Sequence, residues 1–125
     1  MSNRSEIRGT YPYPNEPTWS RMEKAIARAV FDAARKRELH EVMQETKERA
    51  TQIKEPADLW ELERYLAQRR KEIDGKYDFR CSRPTRVLGR LLFEGRVSDE
   101  ELRGLNEDKR KAIRSCARVL SELAA

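Results

Sequence analysis

Pro56 separates two long runs in which apolar residues recur every three or four positions, and this arrangement constrains the fold more than any other feature. A proline ring fixes its own backbone and turns the preceding residue away from helical angles. The first run, which includes Trp19, Met22, Ile26, Val30, Leu39, Met43 and Ile53, predicts one long helix ending near Lys54. Its start is marked by Ser20-Arg21-Met22-Glu23. This is a capping box: the serine oxygen accepts from a backbone N–H three residues on, and the glutamate reaches back. Pro56 suits the first turn of a second helix, with Asp58 favourable at its positive end. Leu59, Leu62, Leu66, Ile73 and Tyr77 then form one stripe. So short a connection predicts antiparallel packing, as a helical hairpin.

The pattern shortens after Tyr77. Pro84 marks a bend, Val87, Leu88, Leu91 and Leu92 define a third helix, and Gly95 suits the position just past its end. Ser98-Asp99-Glu100-Glu101 is a second capping box, opening a short helix that ends about Gly104. Asn106-Glu107-Asp108 starts the last helix, with Ile113, Cys116, Ala117 and Leu120 inward. Strand signals are absent. The expected fold class is all-α, a long antiparallel helical hairpin stem with a compact C-terminal helical head. Residues 1–17, with Tyr11-Pro12-Tyr13-Pro14 and Pro17, read as a flexible tail; 18–80 as the stem and dimerisation region; 81–125 as the head.

Composition adds a partner. The chain is 38% hydrophobic and 39% charged, a thin core under a charged surface. That balance suits helices whose apolar stripe is completed by a second copy. With Leu59 at 0°, Arg70 falls at about 20°, Glu63 about 40°, Asp74 about 60°, Trp60 about 100° and Arg64 about 140°. A large aromatic flanked by Glu and Arg fits an interface seam. The same spacing also fits a Trp capping an internal core beside ordinary surface charges. The run Ile73-Asp74-Gly75-Lys76-Tyr77-Asp78 reads as a recognition or assembly surface, since glycine inside a helix costs about 1 kcal/mol relative to alanine.

Chemistry is hard to place in this sequence. There is one histidine, His40, without a nucleophile or carboxylate arrangement around it, and there is no Gly-rich phosphate loop. Cys81 and Cys116 lack metal-ligand spacing. No enzyme, metal or cofactor is expected. Two reduced cysteines suit a cytoplasmic protein, the polar N-terminus shows no signal peptide, and no apolar run approaches the ~20 residues of a membrane span. Net charge is +5, and all of it arises between Arg80 and Arg118, where nine Arg and two Lys face six acids. Arg83, Arg86, Arg90 and Arg110, Arg114, Arg118 line helix faces, which suits an acidic protein surface, phosphates or plain solvent. No helix-turn-helix signature stands out, so sequence-specific nucleic-acid binding is not expected.

Further motifs run through both halves. They are Trp19-Ser20, Arg37-Glu38-Leu39, Leu59-Trp60, Leu62, Leu66 and Arg70, then Glu72-Ile73-Asp74-Gly75-Lys76-Tyr77-Asp78 with Arg80. They continue in Leu91-Leu92, Glu94-Gly95, Val97, Glu100-Glu101-Leu102, Leu105, Asp108-Lys109, Ile113 and Ala117-Arg118. In these the chain resembles the fluorescence recovery protein family of cyanobacterial photoprotection, over about residues 18–120. The resemblance implies an all-α homodimer that binds the C-terminal domain of the orange carotenoid protein. Such a protein detaches the red form from the phycobilisome and speeds its return to the orange form, ending non-photochemical quenching. It carries no pigment and does no covalent chemistry.

The stripe and the resemblance together place the dimer interface at Met43, Leu59, Trp60, Glu63 and Arg70. The family's seam Trp and Arg correspond to Trp60 and Arg70, and an apolar residue of the dimer contact to Met43. Its seam Asp, however, aligns with Arg64 and the adjacent His with Glu63, so the acid has moved by one residue. Client-binding candidates are Arg83, Arg86, Arg90, Lys109 and Ala112. Arg86 stands where the family has an aromatic, and Ala112 where it has a Lys. These departures keep open a second reading, a dimeric adaptor for another acidic protein client, with nucleic acid the weaker alternative.

Overall fold

The computed structural model describes residues 18–78 and 84–125. Four α-helices and one 3-10 turn make up the regular structure there: α1 Arg21–Thr51, α2 Pro56–Lys76, α3 Pro84–Phe93, the 3-10 turn Glu100–Leu102, and α4 Glu107–Ala124. No strand occurs among the described residues. The expected bend at Cys81–Arg83 and the tail 1–17 lie outside them.

Local chemistry sets the helix ends. The Glu23 N–H donates to Ser20 Oγ at 3.1 Å and the Ser20 N–H to Glu23 Oε1 at 3.0 Å, closing the predicted box. Helix α1 stops three residues earlier than predicted because the Lys54 and Glu55 N–H groups donate to Asp58 Oδ2 at 2.9 and 3.1 Å. Those amides serve the start of α2 and are not available to extend α1. Helix α3 ends in a Schellman motif: Arg96 N–H donates to Leu91 O at 2.9 Å and Gly95 N–H to Leu92 O at 3.1 Å, with Gly95 at φ 76°. The second box also forms, with Glu101 N–H on Ser98 Oγ at 3.2 Å and Ser98 N–H on Glu101 Oε1 at 2.9 Å. It opens only a single 3-10 turn.

Helices α1 and α2 form the antiparallel stem. Arg49 stacks over the Tyr65 ring at 4.1 Å near the closed end, and Glu38 meets Arg69 and Lys76 farther along. The main core lies elsewhere. Ala27, Val30, Phe31 and Ala34 of α1 join Trp19, Leu88, Leu91, Val97, Leu102, Leu105 and Ile113 in one buried cluster. The N-terminal half of α1 is therefore part of the head core, which corrects a division that gave all of α1 to the stem. The inward positions of α1 are also corrected. Val30 is buried as predicted, and Ala27, Phe31 and Ala34 are buried with it, whereas Met22 and Met43 are exposed. In α2 only Ile73 of the predicted stripe is fully buried, because α1 alone is too narrow to cover the rest.

Helices α3 and α4 approach closely at Gly89. A Cβ there would lie 2.5 Å from Cys116 Cβ and 3.1 Å from the Ile113 carbonyl oxygen. At Gly75 a Cβ would meet nothing within 4 Å. Gly89→Ala should destabilise the chain by about 1–3 kcal/mol through overpacking. Gly75→Ala should stabilise it by up to about 1 kcal/mol through helix propensity. Thermal melts of the two variants check this; equal shifts of one sign would contradict it.

Candidate functional site

A buried carboxylate joins stem to head. Glu38 lies in the same helical phase as Phe31 and Ala34 and has no solvent exposure. Its oxygens accept from Lys76 Nζ at 3.1 and 3.0 Å, from Tyr77 Oη at 2.9 Å and from an Arg69 guanidinium nitrogen at 3.0 Å. Arg96 Nε stands 3.5 Å away. Lys76 also donates to Glu94 at 2.8 Å, where Arg90 and Arg96 each donate at 2.9 Å. Arg96 returns to α1 by pairing with Glu41. Burial pushes the Glu38 carboxyl up, but the bonds from Lys76 and Tyr77 and the charges of Lys76 and Arg96 hold it below its usual range. The Tyr77 hydroxyl is pushed up by burial and by its bond to Glu38.

This geometry corrects the reading of Ile73–Asp78 as a recognition surface. Ile73 and Lys76 are buried, and Tyr77 is half-buried on Glu38. The run anchors the joint, and only Asp74 and Gly75 face outward. A second carboxylate works the same way. Glu23 caps α1, accepts from the Asn106 N–H at 3.1 Å and meets Lys109 Nζ at 3.3 Å, tying the start of α1 to the start of α4.

The predicted dimer residues share the uncovered part of the stem. Met43 is 56% and Trp60 57% exposed, with Leu59 and Leu66 also open. A shallow depression on α2 brings Leu59, Glu63, Leu66 and Arg70 together. Arg70 lies 3.7 Å from Asp74, an exposed pair worth about 0–1 kcal/mol. Arg64 is exposed.

The client candidates scatter. Arg83 lies outside the described residues. Arg86 and Arg90 are exposed on α3, and Ala112 is half-buried on α4. Lys109 is only 5% exposed and is held by Glu23 and by Asp108 at 3.0 Å, so its charge is committed to the fold and it leaves the candidate set. Much of the head's positive charge is likewise neutralised in place. Arg90 pairs with Glu94, Arg103 with Glu100, and Arg110 and Arg114 with Asp99 and Glu107. Among the described residues no group of His, Cys, Asp and Glu is arranged to hold a metal, and no helix is long and apolar enough to cross a membrane.

The chain matches, over residues 19–117, a family described as the photoprotection regulator fluorescence recovery protein. It is 42% identical to the fluorescence recovery protein of Synechocystis sp. over 104 residues, covering 83% of this chain and 95% of that one. The solved structure of the Synechocystis protein superimposes with a TM-score of 0.75, covering 81% of this chain and 99% of the other. The structure of the Fremyella diplosiphon fluorescence recovery protein, 39% identical, also gives 0.75 with the same coverage.

Glu38→Gln would leave Lys76, Arg69 and Arg96 sharing a site that has lost its central charge. The expected cost is about 3–5 kcal/mol, read from urea unfolding. Glu38 and Glu94 are both held below the ordinary value of 4.5 in the folded chain. Their contribution is therefore fully present above that pH and is lost as pH falls through the lower folded values. Acid titration of the wild type should show this loss, and Glu38→Gln should flatten it.

Proposed function

Because the chain belongs to the fluorescence recovery protein family, whose members are photoprotection regulators, we propose that it works as a homodimer that docks on the C-terminal domain of an orange carotenoid protein. Docking accelerates the client's red-to-orange conversion and so ends phycobilisome quenching. The match across residues 19–117 carries this reading, because it takes in both the stem and the head. The mechanism is a population shift: the protein binds the compact client, or an intermediate toward it, better than the open one, and no covalent step is needed. It acts in the cytoplasm without a cofactor.

The uncovered stem supports the dimer. Met43, Leu59, Trp60 and Leu66 are large and exposed on one hairpin, and a second hairpin would remove them from water. Glu63 beside this stripe then pairs with Arg70 of the other copy, with Arg64 at the rim. Arg86 and Ala112, where the family resemblance has an aromatic and a Lys, favour a second reading in which the client is a different acidic protein.

The wild type should scatter light as a dimer at micromolar concentration. Met43→Glu should yield a monomer, since an unpaired charge in the seam costs several kcal/mol, about 3–5 if water is excluded. Glu63→Arg and Arg70→Glu should each weaken the dimer, and the double variant should recover it; a monomeric wild type would sink the reading.

Mixing with photoactivated orange carotenoid protein should give detectable, salt-sensitive acceleration of relaxation. Arg86→Phe with Ala112→Lys should raise it, because the aromatic restores apolar contact worth about 1–3 kcal/mol and the lysine restores steering charge. Full activity in the wild type would show that these two positions do not limit docking. No activity even in the double variant would favour the other client.

A further inference from the structure

Helix α3 has a single outward ridge. Of its ten residues only Arg86, Arg90 and Phe93 are exposed. They sit at i, i+4 and i+7, within about 60° of helix rotation and about 10 Å of rise. The opposite face holds Leu88 and Leu91 in the core, and Gly89, beside the ridge, lies against α4. Phe93 is 44% exposed, while Phe31 is buried in the core.

The ridge is also stiff. The Schellman motif fixes the backbone directly after Phe93, and Glu94, the next residue, is held by Lys76, Arg90 and Arg96. A rigid aromatic loses little freedom on docking, and aromatics beside arginine are the usual anchors of protein interfaces.

We infer that the α3 ridge is the strip that seats a protein client, with Phe93 inserted into an apolar pocket and the exposed Arg86 and Arg90 side chains flanking it at the rim. This rests on the protein-client reading above and adds the anchoring residue. The charge pattern selects the occupant. The segment Arg80–Arg118 is net positive, which calls for an acidic partner. Yet Arg90, Arg103, Arg110 and Arg114 already hold carboxylates, which is poor preparation for a phosphate track. An acidic protein surface with an apolar pocket matches both facts.

The test uses the full chain and photoactivated orange carotenoid protein, reading binding and relaxation rate. Phe93→Ser should lower both by about tenfold or more, and Phe93→Trp should retain them. Leu123→Ser, at an exposed apolar position near the end of α4, should change nothing. Thermal melts and light scattering should show all three variants folded and in the wild-type oligomeric state. An inert wild type would overturn the client reading and this inference with it. An active wild type with an equally active Phe93→Ser would overturn the ridge alone. Loss of the wild-type oligomer in Phe93→Ser would identify a self-contact, and wild-type retention of duplex DNA at ~200 mM salt that Phe93→Ser abolishes would identify nucleic acid; either overturns the inference.

Discussion

A carboxylate with no access to water holds this molecule together. Glu38 has Lys76, Tyr77 and Arg69 within hydrogen-bond distance, and these come from the far end of the stem hairpin. Lys76 hands the network on to Glu94 at the end of α3, and Arg96 carries it back to α1. An apolar joint of equal volume could match it in stability, since buried ion pairs gain little over good packing. What the charged joint adds is direction. Its bonds accept one rotation of the stem against the head, whereas greasy surfaces tolerate several.

That fixed rotation matters because the two ends present different surfaces. The stem exposes Met43, Leu59, Trp60 and Leu66; the head exposes arginine and one phenylalanine along α3. In a dimer built on the stem, the joint sets how far apart and at what angle the two heads stand. On the proposed reading, in which the protein biases its client's conformation, that geometry has to be held, because a loosely hung head would bind open and compact clients alike.

The helices were legible from the sequence where local chemistry decides them. Both Ser-x-x-Glu boxes, Pro56 at the start of α2 and Gly95 past the end of α3 are resolved by nearby atoms, so each stands where the sequence put it. Facing was less legible. In α1 the alanines at 25, 27, 29, 33 and 34 offer two apolar phases, and only tertiary contact with Leu88 and Ile113 selects Ala27 and Ala34. Glu38 was hidden for a related reason. It continues the phase of Phe31 and Ala34, but an acid at that position reads as surface until Lys76, thirty-eight residues away in sequence, is seen to meet it. Lys109 misled in the opposite sense, since nothing local reveals that Glu23 claims it. Met43 and Leu59 were misread for the same reason, since their apolar spacing points inward while both are exposed among the described residues.

Glu23 and the core around Phe31 have a consequence for synthesis. Residues near the beginning of the described chain are completed by α4, and Phe31 shares a core with Ile113. On a ribosome adding about 5–20 residues per second, the interval between those two residues is roughly 4–16 s. Throughout it the nascent α1 carries an incompletely covered apolar face and a glutamate whose ties to Asn106 and Lys109 are not yet made. The head therefore closes only as the last helix emerges, and the earliest-made segment depends on the latest. Chains truncated within α4 would be left with an open head core and a complete hairpin.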